Sequence, residues 1–324
     1  MKLPRRQFLH LAAGAALPAV SRVAGAQAYP TRPVRVMVGF APGQAIDIVT
    51  RIIGQRLSER LGQQFIIENR PGAGGNIATE VVARAPADGY TLLAIGSNNM
   101  INPTLYQNLN YDFIRDIAPV ASVYRVPQVM EVNPSFPAKT VPEFIAYAKA
   151  HPGEISFASA GNGSVAHVTG ELFKMMTGVN MLHVPYRGAP PALTDLIAGQ
   201  VHVMFDNMPS SIEHIRAGRL RPLAVTATTR LEALPDVPPL GDFVPGFETS
   251  AWAGIGAPKN TPAEIIDTLN REINAVLADP TIKTRIAELG GEMLALSPGE
   301  YTRRIAEETD KWAKVIKFSG AKAE

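Results

Sequence analysis

The chain has 324 residues, 46% of them hydrophobic, and no cysteine, which excludes a disulfide-stapled scaffold and leaves a hydrophobic core to hold the fold. Its formal net charge is +2, with no block of Lys and Arg interleaved with aromatics, so nothing points to a nucleic-acid partner. The six histidines, His10, His151, His167, His183, His202 and His214, fall in no H-E-x-x-H or H-x-H arrangement, which argues against a zinc site.

Residues 1–28 combine a basic start, an apolar stretch from Phe8 to Val20 and an A-x-A end at Ala26 to Ala28. That is the pattern of an export signal cleaved near Ala28, which places the mature chain in the periplasm. The apolar stretch is short for a membrane span, which favours cleavage over a retained anchor. Arg5 and Arg6 before "QFL" fit a twin-arginine signal as well as an ordinary Sec signal with two arginines. The segment holds Lys2, Arg5, Arg6 and Arg22 and no acid, so its loss turns the formal charge from +2 to −2. The sequence pI of 8.8 therefore belongs partly to the signal. Removing 28 of the 324 residues leaves 296, a length that suits two domains.

From Val34 onward short β-rich runs alternate with amphipathic helical runs, the mark of an α/β fold with parallel sheets flanked by helices. "VRVMVGF" predicts the first strand. Ile48, Val49, Ile52, Ile53, Leu57 and Leu61 recur at helical spacing and predict a helix over 46–61, closed by Gly62. "QFIIEN" and "YTLLAIGS" are the next strands, the latter entered through an Asp88-Gly89 turn, and Pro86 closes a helix that starts near Asn76.

A second set of units runs from about 140 to 227. Thr140 and Glu143, around Pro142, read as a capping box for a helix to Ala150. The strand "ISFAS", a helix, "MLHVPY", a helix near Pro191 to Ala198, "VHVMFD", a helix near Ser210 to Ala217 and "LRPLAVTA" follow. The Pro-rich stretch "LPDVPPLGDFVPGF" has no helical period and reads as a connector. "SAWAGIGAPK" is the last strand, followed by helices from about Pro262, Pro280 and Pro298 that return to the first lobe. Thr261 with Glu264, and Ser297 with Glu300, read as capping boxes for the first and last of them.

Three strand-to-helix turns are rich in small residues: "GFAPGQAID" at 39–47, "NRPGAGGNIATE" at 69–80, and the turn inside "FASAGNGSVAHVTGELF" at 157–173. Glycine lets the backbone approach a ligand, and the free N–H groups of a first helical turn favour an anion. The alternative is tight packing of strand on helix. Ligands of open α/β sheets sit beyond the carboxyl ends of the strands, where Ser97 and Asp206 also fall. Ser97 can donate to an anion and Asp206 can accept from a ligand amine or hydroxyl, or from water; both also suit a cap or turn.

Ser164 reads as a helix N-cap, and His167, one turn in, either reaches a cleft or is buried and satisfied. Asp47 complements the dipole of its helix and can bond across the loop. Phe173, Met175 and Met176 read as core. Neither Ser97 nor Ser164 lies in a G-x-S-x-G elbow, so no nucleophile is evident. The competing reading is an exported dinucleotide-dependent enzyme, with Gly161, Gly163 and Ala166 at G-x-G-x-x-A spacing and Arg187 for a 2′-phosphate. Against it, the motif lies mid-chain and no acidic residue follows at about 20 residues.

The ordered series "PVRVMVGFAPGQAIDIV", "IIENRPGAGGNIATEVVARAPADGYTLL", "INPTLY", "FASAGNGSVAH", "VPYRGAPPALTDLIAGQV" and "MFDN" resembles the Bug family, the TctC-like extracytoplasmic receptors of tripartite tricarboxylate transporters. The resemblance covers essentially the whole mature chain. It implies a two-lobed α/β periplasmic binding protein of type II-like architecture, each lobe a mostly parallel sheet flanked by helices, with the ligand cleft between lobes. Residues 29–126 with 252–324 form the first lobe and 127–251 the second, hinged near 124–130 and 249–254.

The resemblance further implies a small carboxylate ligand (a di- or tricarboxylate, acidic amino acid or aromatic acid), membrane permease subunits as partners, no cofactor and no catalysis. The carboxylate is expected on backbone amides and waters of the loops holding Phe40, Ala41, Gly43, Gln44, Ala45 and Asp47, and Ser159, Ala160, Gly161, Gly163 and Ser164. Ser97, His167 and Asp206 complete the candidate set. The "NRPGAGGN" turn suits packing better than ligand contact. One position departs from the family pattern: Gln44 stands where a glycine is usual, adding a side chain to the loop.

Overall fold

The structure, a computed structural model, describes residues 29–288 and 291–323; the expected export signal, His10 included, lies outside the described residues. In chain order the first elements are β1 (Val34–Val38), α1 (Ala45–Leu61), β2 (Phe65–Asn69), α2 (Asn76–Ala83), β3 (Thr91–Gly96), α3 (Asn98–Leu105), α4 (Phe113–Asp116) and β4 (Ile117–Val132). There follow α5 (Val141–Ala150), β5 (Ile155–Ser159), α6 (Val165–Thr177), β6 (Met181–Pro185), α7 (Ala189–Ile197), β7 (Val203–Asn207), α8 (Met208–Arg216) and β8 (Arg221–Val225). The chain closes with β9 (Ser250–Pro258), α9 (Ala263–Leu277), α10 (Pro280–Glu288), β10 (Glu292–Met293) and α11 (Pro298–Ser319).

The strands form two mixed sheets that share β4. In the first, β2, β1 and β3 lie parallel, and β9 and β4 continue the order antiparallel. In the second, β6, β5 and β7 are parallel, and β4 runs antiparallel between β7 and β8. Along β4, Ile117 to Pro127 face β9, whereas Gln128 to Val132 face β7, so the partner changes between Pro127 and Gln128. Sequence periodicity does not mark this strand. Its run of apolar residues does not alternate, because residues from Val120 to Val132 are almost all buried, and Pro119 and Pro127 argue against a central strand. The structure places Pro119 at a register shift and Pro127 at the change of sheet, where a missing N–H interrupts no regular ladder.

The helix ends follow their sequence signals with two corrections. Gly62 closes α1 in the left-handed conformation, and Ser297 with Glu300 forms a complete capping box on α11. Thr140 caps α5 through the Glu143 N–H, but the Glu143 carboxylate accepts from the Lys139 N–H, leaving the box half formed. Thr261 is not a cap: the residue before α9 is Pro262, and the Thr261 hydroxyl donates to the Pro258 carbonyl at 2.8 Å.

Packing on both sheets is apolar. Phe144, Phe157, Phe173, Phe205 and Phe247 are fully buried around the second sheet, each contributing about 1.5–3 kcal/mol relative to exposure. Val36, Val49, Ile53, Leu57, Leu92 and Ile273 form a second cluster on one face of the first sheet. Of the C-terminal helices, α9 lies on β4 and α1, whereas α11 lies on α3, β4 and α6 and so touches both halves. Among the described residues no helix is long and apolar enough to cross a membrane.

Candidate ligand-binding site

The first turn connects β1 to α1. A Cβ at Gly39 would lie 2.7 Å from the Gly75 Cα, so the glycines of the turn before α2 let two backbones touch. That turn therefore serves packing. Asn69, at the end of β2, donates to the Phe40 carbonyl at 2.9 Å and to Asp47 Oδ1 at 2.8 Å. The other oxygen of Asp47 accepts from the Gly43 N–H at 2.9 Å, and Arg51 pairs with the carboxylate at 3.0 Å. Burial of Asp47 raises its pKa, but hydrogen bonds from Arg51, the Gly43 N–H and Asn69, with the Arg51 charge, outweigh it and hold the carboxyl below its usual range.

Phe40 is half-buried, and Ala41 to Ala45 are exposed. The ladder of α1 starts with the Ile48 N–H on the Gln44 carbonyl, and Gln44 provides no side-chain cap. The N–H groups of Ala45, Ile46 and Asp47 precede that ladder and carry the positive end of a 17-residue helix.

The third turn connects β5 to α6. Ser159 is buried, and its Oγ accepts from the Gly161 N–H at 3.1 Å while lying 2.6 Å from His183 Nε2. The Gly163 N–H donates to His167 Nδ1 at 3.0 Å, and Ser164 Oγ caps the His167 N–H. The ladder of α6 begins with Val168 on Ser164, leaving the Val165 and Ala166 N–H groups before it. Gly163 has φ +74°, and a Cβ there would run into Leu105 Cδ2 on α3. The third turn thus abuts an element that follows the first sheet's β3.

The two imidazoles, His167 buried and His183 half-buried, both titrate below their ordinary value. Burial, then Lys174, lowers His167 to about 4; burial, then His167 and Lys174, lowers His183 to about 3.

Two helix starts thus stand at carboxyl ends of parallel strands, one in each half, and each start favours negative charge. The sequence profile of the tripartite tricarboxylate transporter family receptors, TctC, matches residues 49–321. The chain belongs to the TctC receptor family. BugT of Bordetella pertussis is 38% identical over 300 residues, covering 92% of this chain and 92% of that one. An R. palustris protein solved with adipate is 40% identical, with TM-score 0.80, covering 90% of this chain and 98% of that one. MatC from Rhodopseudomonas palustris, with bound malate, is 33% identical, with TM-score 0.77, covering 89% of this chain and 100% of that one. These neighbours are solute-binding proteins of the TctC fold.

In this TctC receptor the remaining candidate residues are engaged within the fold. Ser97 is buried and accepts the Trp252 N–H at 2.7 Å, tying β3 to β9. Asp206 is 2% exposed and accepts from Ser210 and Ser211, with Glu131 on the far side of Ser211. Burial raises the pKa of both acids, and for Glu131 the neighbouring Asp206 adds to it. Asp206 is thus held by a serine cluster at the end of β7. His167 likewise points under the turn. Phe173 is core, Met175 packs against it, and Met176 is 37% exposed, outside the expected core.

Three residues outside the candidate set carry bonds that span the fold: Asn69 at the first turn, His183 at the third, and Gln128 at the change of sheet. Gln128 sits where β4 changes sheet, donating to the Phe205 carbonyl at 2.9 Å and accepting from Thr249 at 3.1 Å and from Thr169. Its N–H donates to Thr226 Oγ1 at 2.8 Å. No local pattern flags these residues, since each acts through a partner distant in sequence. Among the described residues no three His, Cys, Asp or Glu side chains gather as a metal site.

Proposed function

We propose that this receptor captures a small organic carboxylate between its two halves and presents it to the permease subunits of a tripartite tricarboxylate transporter, without chemistry of its own. The observation that carries the reading is that two similar folds, at 40% and 33% identity, hold adipate and malate, both dicarboxylates. The α1 and α6 starts support it: each offers free amides and a helix dipole to one carboxylate, making charge-assisted hydrogen bonds without a basic side chain. A di- or tricarboxylate spanning both starts favours a closed form; acidic amino acids and aromatic acids are the other classes to test.

The partition into 29–126 with 252–324 and 127–251 is supported by the partner change along β4 at Pro127 and Gln128. Closure then bends the chain at 124–130 and 249–254, where Gln128 and Thr249 are bonded to each other. The export signal at 1–28 places the receptor in the periplasm. The dinucleotide reading loses support because the Gly161 and Gly163 N–H groups, which would face a pyrophosphate, are turned to Ser159 and His167.

Isothermal titration of residues 29–324 with adipate, malate, citrate, glutamate, benzoate and NADP tests the reading. Heat with one carboxylate class is expected, together with a rise in melting temperature of several degrees. Ligand at 100 times its dissociation constant stabilises by about 2.7 kcal/mol. Binding of NADP with no carboxylate would overturn the proposal.

A further inference from the structure

We propose that His167 and His183 are the positioning residues of the 159–166 segment: by engaging the Gly163 N–H and the Ser159 hydroxyl, they fix which amides face the ligand. The inference rests on the reading of this turn as a carboxylate cradle.

The two rings stack with centroids 3.9 Å apart and planes 6° from parallel. His183 also stacks on Phe157, with centroids 4.8 Å apart, so the pair is clamped against the sheet. His167 Nδ1 accepts from the Gly163 N–H at 3.0 Å, which puts the ring proton on Nε2. Ser159 Oγ accepts from the Gly161 N–H at 3.1 Å and lies 2.6 Å from His183 Nε2 and 3.2 Å from the Gly161 carbonyl, so the hydroxyl is held between the imidazole and the turn in either His183 tautomer. Each glycine amide of the turn therefore ends, directly or through Ser159, on an imidazole.

The consequence is a division of the amides. Those of Gly161 and Gly163 point beneath the turn, and those of Val165 and Ala166, ahead of the α6 ladder, are left for the anion. Two protonated rings repel when stacked face to face at 3.9 Å, and both histidines titrate well below their ordinary value. The pair is thus an uncharged support for a turn that receives a negative charge.

The test compares His167→Leu, which keeps bulk and removes the acceptor, with His167→Asn, which returns an acceptor oxygen near the Nδ1 position. Titration with adipate and malate should show a loss of about tenfold or more in H167L, as a buried N–H loses its partner, and recovery of most of it in H167N. Equal losses in the two variants, or none in H167L, would overturn the inference. Nitrogen-15 NMR of the ligand-free wild type gives an independent readout. His167 should be neutral with its proton on Nε2 at pH 7, and the Gly163 amide should exchange slowly. A proton on Nδ1, or a fast-exchanging Gly163 amide, would contradict the geometry even if the variants fail to fold. Should the wild type bind no carboxylate, the cradle reading fails, while the tautomer and exchange data still decide the support.

Discussion

The turns at 39–47 and 159–167 both end in a helix start with free amides, yet they are held by opposite means. The first is exposed and held by an ionised carboxylate, Asp47, shared by the Gly43 N–H, Asn69 and Arg51. The second lies against Leu105 and is held by uncharged groups, Ser159, Ser164, His167 and His183. Solvent around Arg51 can balance a charge at the first turn. At the second, an unpaired charge would be desolvated at high cost, so neutral acceptors take its place. The two halves of the proposed anion site should therefore fail under different perturbations.

The largest difference should come from their glycines. Gly163→Ala sets a Cβ against Leu105 at φ +74°, and a loss of about 2–4 kcal/mol is expected from left-handed strain plus overpacking. Gly43→Ala has φ +86° but nothing within 4 Å of the new Cβ, so strain alone, about 1 kcal/mol, should remain. Urea unfolding of the two variants measures this; equal losses would erase the contrast.

Acid should separate the anchors next. A histidine lowered from 6.5 to about 4 gives stability that is complete above 6.5 and is lost as pH falls toward 4; His183 extends that window toward 3. Asp47, also lowered, gives stability that is complete above its ordinary value near 3.9 and is lost only below it. Glu131 and Asp206, both raised, act in the opposite sense and are common to all variants compared, so differences between proteins are the quantity to read. Between pH 6.5 and 4 the melting temperature of H167N should fall less than that of wild type, whereas Asp47→Asn should lie below wild type by a constant amount above pH 4 and converge with it only below. Parallel curves for all three would contradict the assignment of the anchors.

The smallest effects should come from two caps. Ser164→Ala on α6 and Ser297→Ala on α11 remove equivalent hydroxyls and should each cost about 1 kcal/mol. Only the first should weaken carboxylate binding, because Ser164 borders the free amides. A loss of affinity in Ser297→Ala of the same size would mean that binding follows global stability.

Much of this was legible in the sequence where the signal is local. The periodicity of Val49, Ile53 and Leu57 and the glycine after Leu61 mark α1, and Ser164 reads as a cap because its role lies within four residues. The turn before α2 reads as packing, and Gly39 against Gly75 is the contact responsible. What stayed hidden depends on tertiary pairing. The strand β4 carries two prolines and no alternation because both its faces are covered. His183 becomes part of the turn only through the parallel register that sets it beside Phe157, and Gln128 gathers Thr169, Thr226 and Thr249 from across the fold. Asp206 and Ser97 are read from their places at strand ends, whereas their burial and their bonds to Ser210, Ser211 and the Trp252 N–H come from the folded structure.

The most direct measurement is residue-resolved amide exchange with and without adipate, repeated with malate. Binding through both turns predicts slowed exchange at Ala45 and Ile46 on α1 and at Val165 and Ala166 on α6, with Gly163 already slow before ligand. Protection confined to one turn, or bound ligand with neither set protected, would contradict a carboxylate held between two helix starts.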